Sequence, residues 1–411
     1  MRHAQWLLAC LALSIGCTQA ARSADATQQP LIAAAQAEQD AMLETLETLV
    51  NIDSGTGNSE GLTRIQDILV ERLKALGAEV ALRPAEPSAS DNIVGRFRGR
   101  GHARILLMIH YDTVFGPDET EERPFRRAGG RLYGPGVADA KGSIALILHS
   151  LKLLRERRYD GYGLLTVLFN SDEEKGSLGS RDLIRELAAD HDYVLSYEPP
   201  ETDAVTIATN GINYLFLDVQ GRASHAGSAP EQGRNAIIEL AYQLLRLDDL
   251  GNPETGTTVN WTIVDGGERR NIIPASARAE GDMRYSDFNE IERVIIEANR
   301  LVEEHRVPDT TVKFRLQRGR PPLPSNPASR RLAMVAQEVY EATGRRLGMR
   351  RMRFGTDAGY AYRQGSDRPA VLETLGLVGA SLHSPEEYAE LNSVVPRLYL
   401  TVGLVMRLSG D

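Results

Sequence analysis

Three short, mainly apolar runs, 105–109, 164–169 and 193–197, are separated by stretches with helical spacing over 144–154 and around Leu183. Strands apolar on both faces that alternate with helices are satisfied by a mostly parallel sheet covered on each side, and such sheets bind ligands beyond the carboxyl ends of their strands. Two amphipathic helices come first. One turns Leu43, Leu46, Leu49 and Val50 to a single face; the next starts near Ser59, places Leu62, Ile65, Leu69, Leu73 and Leu76 inward and stops at Gly77.

The rhythm changes between about residues 210 and 320. There, 214–219 alternates like a half-exposed strand, 236–247 is helical, 257–264 and 277–285 read as strands, 291–302 as a helix and 311–316 as a final strand. That β-α-β-β-α-β order is the ferredoxin-like arrangement. The spacing therefore predicts an α/β chain: a mostly parallel sheet catalytic domain covered by helices, over 34–209 and 321–411, with a ferredoxin-like α+β domain inserted at 210–320. A proline-rich joint (Pro321, Pro322, Pro324, Pro327) returns the chain to the first domain, which ends in helices over 332–342 and 398–408. A length of 411 residues suits two domains.

Met1, Arg2 and His3, an apolar run over 4–15 and then small residues have the pattern of a secretory signal over 1–20, and residues 21–33 read as a tether. The run is too short to span a membrane. An exported protein, periplasmic or secreted, is expected, with lipid attachment at Cys17 as the weaker alternative to cleavage after Ala20. Cys10 and Cys17 are the chain's cysteines, so disulfides, thiolate nucleophiles and cysteine-ligated metals are excluded from the mature domain. A net charge of −9 argues against nucleic acid or an anionic membrane surface as the main partner and favours a peptide or small-molecule substrate.

The three apolar runs end in groups that bind metals: the first in His110 and Asp112, the second in Asp172, Glu173 and Glu174, the third in Glu198. Asp139 follows the Gly134-Pro135-Gly136 turn just before a helix, where the helix dipole favours negative charge, and His383 lies in a late loop. Two histidines with at least three carboxylates suit a pair of divalent ions sharing a carboxylate, and zinc is the first candidate. His110 and Asp112, two apart on an extended segment, share a face, so Asp112 is expected to accept the second ring N–H. Adjacent Glu173 and Glu174 should point apart, leaving one to bind metal and the other to take a proton from water.

Five motifs in this order, His110-Tyr111-Asp112-Thr113-Val114, residues 134–142, Asn170-Ser171-Asp172-Glu173-Glu174, Glu198-Pro199 and His383-Ser384, resemble the zinc metallopeptidase family of glutamate carboxypeptidases, aminoacylases and acetylornithine deacetylase. The resemblance implies two divalent metal ions bridged by Asp139, with His110 and Glu198 completing one site, Glu174 and His383 the other, and Glu173 as general base. It extends to the inserted domain through 221–227, Asn271-Ile272-Ile273-Pro274 and Asp282-Met283-Arg284. There it implies a homodimer whose His225 is offered to the partner's site as an oxyanion donor, and Arg284 and Asn271 as holders of a substrate carboxylate. Arg320, Gly355 and Thr356 resemble further substrate contacts. The expected reaction is removal of a C-terminal amino acid, glutamate among the candidates, with N-acyl-amino-acid deacylation as the alternative. Between Glu198 and Gly211 there is no lysine or arginine to hold an acidic side chain.

Overall fold

The computed structural model describes residues 31–410, so the expected signal, most of the expected tether and Cys17 lie outside the described residues. The chain divides into two compact units, the first taking the chain up to Thr206, Pro327–Arg350 and the chain from Arg363 on, the second Ile207–Asn326 and Arg351–Tyr362. Sequence reasoning leaves 351–362 with the larger domain. Backbone hydrogen bonds from Met352 N–H to the Ala208 carbonyl (2.9 Å) and from Asn210 N–H to the Phe354 carbonyl (3.1 Å) attach it instead to the smaller unit.

The first unit is built on a six-stranded sheet in the order Glu79–Arg83, Asn92–Arg98, Leu164–Asn170, Arg104–His110, Tyr193–Ser196 and Ala370–Leu372. The last four strands run parallel; the first two pair antiparallel at one edge. Every residue of Leu164–Asn170 is buried, as a strand covered on both faces must be. Helices cover the sheet: one over 31–50, then Ser59–Ala75, Lys141–Glu156, Arg181–Ala189, Pro327–Glu341 and Val394–Leu408. Asn58 caps the second of these, its side chain accepting from Gly61 N–H at 3.1 Å, and Gly77 at φ 98° ends it in the left-handed turn that glycine adopts without strain.

A second, four-stranded sheet in this unit pairs Gly379–Ala380, Tyr388–Glu390, Arg131–Tyr133 and Arg126–Ala128. It sets the strand before the Gly134-Pro135-Gly136 turn beside the strand that follows the His383 loop, through the register Tyr388↔Tyr133. Among the described residues no helix is long and apolar enough to cross a membrane.

The second unit has the sheet order Thr258–Gly266, Ser276–Tyr285, Gly211–Gln220, Thr311–Arg318, all antiparallel, with helices Ala236–Leu247 and Asn289–Val302. That is the ferredoxin-like arrangement the alternation predicts. Gly211–Gln220 alternates buried with more exposed positions, placing Leu215, Leu217 and Val219 against Leu240, Val294 and Ala298 in this unit's own core.

Candidate active site

The strands Leu164–Asn170, Arg104–His110 and Tyr193–Ser196 are neighbours, so their carboxyl ends open on one rim of the sheet and bring Glu173 and Glu174, His110 and Asp112, and Glu198 together. Asp139 enters this rim from the turn ahead of the helix Lys141–Glu156, through a cis peptide to Ala140. His383 arrives from the loop between Gly379–Ala380 and Tyr388–Glu390.

Asp139 sits between the two imidazoles. Its Oδ1 is 3.0 Å from His110 Nε2 and its Oδ2 is 3.2 Å from His383 Nε2. Glu198 Oε1 lies 3.7 Å from the same His110 nitrogen, and Glu174 Oε2 lies 3.4 Å from the same His383 nitrogen. Ligand atoms of His110, Asp139 and Glu174 all fall within 4.8 Å of one another, a grouping able to hold a metal ion. The donor set is nitrogen and carboxylate oxygen without sulfur, which suits zinc and similar divalent ions. Glu174 Oε1 is buried with no hydrogen-bond partner among the described residues, which leaves its bonding capacity unused.

The electrostatics point the same way. Burial pushes the Glu174 carboxyl up to about 10, with Asp139 adding repulsion, and burial also raises Glu198 well above the usual carboxylate range. Burial works against the charged His110 ring, yet Glu198, Asp112 and Asp139 together carry its pKa well above the ordinary value. His383 is raised first by its hydrogen bond to Asp139. Burial disfavours the Asp139 anion too, but the two histidines outweigh it and hold this carboxyl low. So many acids packed this closely bind protons where cations can neutralise them, the environment a cluster of metal ligands requires.

The supporting contacts refine one expectation. His110 Nδ1 donates to the backbone carbonyl of Asp112 at 2.9 Å, and the Asp112 carboxylate oxygen stands at 3.3 Å from that nitrogen. The carboxylate is taken up by other donors: Glu173 N–H on Oδ1 at 3.1 Å, Glu174 N–H on Oδ2 at 3.2 Å and the Thr56 hydroxyl on Oδ2 at 2.6 Å. Asp112 thus fixes the acid turn as well as the imidazole. Glu173 and Glu174 open that 3₁₀ turn, which Gly176 closes at φ 90°, and Glu173 is 7% exposed.

Sequence reasoning missed four residues here. Thr56 and Glu387 support the ligand turns, and Glu373 accepts Glu198 N–H at 3.2 Å and Thr374 N–H at 2.7 Å. Lys141, buried beside Asp139, donates to the Ile52 carbonyl at 2.8 Å, and burial lowers its pKa to about 8. Glu373 directly follows the strand Ala370–Leu372, a placement like that of the acids after the central strands, and the acid pair Glu386-Glu387 after His383 was a second hint; Thr56 and Lys141 carried none.

The residues expected from the inserted domain lie in the second unit. His225 pairs with Ile272 in a two-stranded ribbon, and Ala226 N–H donates to the Asn271 carbonyl at 2.9 Å, which sets His225 and Asn271 side by side. Gly227 N–H and Ser228 N–H both donate to His225 Nδ1, at 3.1 and 3.0 Å. With Nδ1 accepting, the neutral ring carries its proton on Nε2, and the residue is exposed. Arg284 lies on Ser276–Tyr285 with Nε donating to Asp282 at 2.7 Å. Arg320 Nη1 donates to the Gly355 carbonyl at 3.2 Å and its Nε is 3.9 Å from Asp357; Thr356, next to both, is buried.

Imidazoles and carboxylates shared around one central carboxylate, at the carboxyl rim of a mostly parallel sheet, define a metal-dependent hydrolase. The chain belongs to peptidase family M20/M25/M40, whose model matches residues 106–407, and is a metallopeptidase of that family. It is 42% identical to carboxypeptidase G2 of Pseudomonas sp. strain RS-16 over 385 residues, 92% of each chain. It is also 29% identical over 343 residues to a succinyl-diaminopimelate desuccinylase of Methylorubrum extorquens, covering 78% of this chain and 87% of that one. Among solved structures, a Staphylococcus aureus tripeptidase superposes with a TM-score of 0.79 at 22% identity, over 91% of this chain and 99% of the other, a likeness of fold.

Proposed function

We propose that this metallopeptidase is a carboxypeptidase that hydrolyses the amide bond to a C-terminal amino acid, glutamate being the first residue to try. The observation that carries this reading is Asp139, whose two carboxylate oxygens are divided between His110 and His383. Two divalent ions, zinc the first candidate, held by His110, Glu198 and Asp139 and by His383, Glu174 and Asp139, would supply the Lewis acidity that acidifies water and polarises the scissile carbonyl.

The chain's own groups carry the proton traffic and the binding. Glu173 takes a proton from the attacking water as the C–O bond forms, and returns it to the amide nitrogen as the C–N bond breaks. Asp112 holds His110 and the Glu173 turn in place. His225 donates from Nε2 to the developing oxyanion, which stabilises the transition state more than the ground state. Arg284 and Asn271, with Arg320, Gly355 and Thr356, receive the substrate's free carboxylate, a group that a guanidinium fork binds in two places. In this reading the protein is a homodimer, His225 serves the partner's site, and the signal over 1–20 exports the protein to the periplasm or beyond.

A second reading, N-acyl-amino-acid deacylation, is favoured by the likeness to the desuccinylase and uses the same metals and clamp. A screen of peptides, N-acyl-amino acids and their C-terminal amides, with metal content measured alongside, separates the two. Release of a C-terminal residue from free acids but not from amides is expected. Cleavage indifferent to the carboxylate would remove the clamp, and faster cleavage of simple acyl groups than of peptides would favour the deacylase.

A further inference from the structure

Glu387 is 1% exposed, and its carboxylate is wholly committed to one turn. Its Oε1 accepts Ala138 N–H at 2.8 Å and Asp139 N–H at 3.0 Å, while its Oε2 accepts Gly136 N–H at 3.0 Å. The turn needs such a partner. Gly134 and Gly136 have φ of 139° and 73°, and successive N–H groups in turns of mixed hand point to one side, where they form a concave nest for an anion. A side chain at 136 would also strike Thr113 Cγ2 at 2.7 Å, so the turn packs directly against the segment after His110.

The backbone of Glu387 is fixed just as firmly. Its N–H donates to the Ser384 carbonyl at 3.1 Å, closing the loop that carries His383, and the strand it leads into pairs with Arg131–Tyr133 one residue before the nested turn. One side chain therefore joins the segment that delivers Asp139 to the segment that delivers His383. We propose that Glu387 is a positioning residue for the metal site, filling the nest formed by Gly136, Ala138 and Asp139 so that the Asp139 carboxylate is aimed between His110 and His383 before any ion binds. This rests on the reading of Asp139 as a shared ligand. Glu387 touches neither substrate nor, in this arrangement, metal; it acts through Asp139.

The test is zinc titration of the metal-free, full-length protein by calorimetry, comparing wild type with Glu387→Gln. The amide keeps the size of the side chain but turns an NH₂ group toward at least one N–H of the nest. Zinc affinity is expected to fall about 10–100-fold, the usual loss when an outer partner of a ligand is removed, with unchanged circular dichroism. Folded Glu387→Gln with wild-type zinc affinity would overturn the positioning role and leave the metal reading intact. Wild type that binds no zinc would overturn both. A second measurement needs no variant: hydrogen exchange of the Ala138 and Asp139 amides in the metal-free wild type. Protection is expected if Glu387 presets the turn; exchange at the rate of a free amide, with protection appearing only once zinc is added, would overturn the proposal.

Discussion

Replacing Asp112 with Asn changes one buried atom and leaves the shape of the site alone. The carboxylate serves Glu173 N–H on one oxygen, and Glu174 N–H and the Thr56 hydroxyl on the other, with the His110 ring 3.3 Å away. An amide has one acceptor oxygen. Whichever way it is turned, its NH₂ faces a backbone N–H, either that of Glu173 or that of Glu174, while Thr56 can adapt by rotating its hydroxyl. A hydrogen bond to a charged acceptor contributes about 1.5–3 kcal/mol. At about 1.4 kcal/mol per factor of ten, losing one of them corresponds to roughly 10–100-fold, the range also seen when outer partners of metal ligands are removed. Steady-state kcat/KM on a peptide substrate at saturating zinc, with zinc affinity measured by chelator competition, should show that loss in activity and a weaker zinc site. Thr56→Val removes a donor to the same carboxylate but leaves both amide donors in place and no NH₂ against them, so it should cost no more than that roughly 10–100-fold. Asp112→Asn with activity and affinity within twofold of wild type would refute the orienting role.

Further outcomes follow from the same geometry. Glu173→Gln should retain metal while turnover drops by about 10²–10⁴, the range for a lost general base, whereas Glu174→Gln should weaken metal binding; exchanged phenotypes would reverse the two assignments. If His225 serves a partner's site as proposed, His225→Ala should lower turnover without loss of metal, and mixing it with Glu173→Gln should restore part of the activity, since a mixed dimer would hold one complete site; no recovery despite proven subunit exchange would rule out donation to the partner. On the helix Lys141–Glu156, His149 is buried with Nδ1 2.5 Å from Glu38 and Nε2 2.8 Å from Thr45, and burial lowers its pKa against the pull of Glu38. The unfolded chain then binds the extra proton first, so stability should fall as the pH drops below the ordinary histidine value of about 6.5 towards the lower folded one. In denaturant titrations His149→Gln should flatten that slope, and an unchanged slope would place its origin elsewhere.

Much of this was legible in the sequence because it rests on local rules. The helix Ser59–Ala75 follows from its leucine spacing and Gly77, and the ferredoxin-like unit from the order of its elements. The rim of the sheet follows from strands that end at His110 and just before the Glu173-Glu174 pair and Glu198. The antiparallel edge was not legible. Asn92–Arg98 is interrupted by Gly95 and Arg96, and Glu79–Arg83 is short and half exposed, so neither has the continuous apolar pattern of the central strands. Nor were the residues that hold the ligands. Glu387 lies 251 positions from Gly136 and looks like its neighbour Glu386, which is exposed; only tertiary pairing distinguishes the two. The same holds for Glu373 beneath Glu198, 175 positions away.

In the proposed reading one carboxylate, Asp139, serves two metal ions in one chain. Elemental analysis of purified protein, dialysed free of loosely bound ions and assayed in the same preparation, tests it most directly. Close to two equivalents of divalent metal per chain are expected in the active enzyme, and loss of both ions with activity in Asp139→Ala. Full activity with a single equivalent, or an Asp139→Ala variant that keeps its metal, would contradict it.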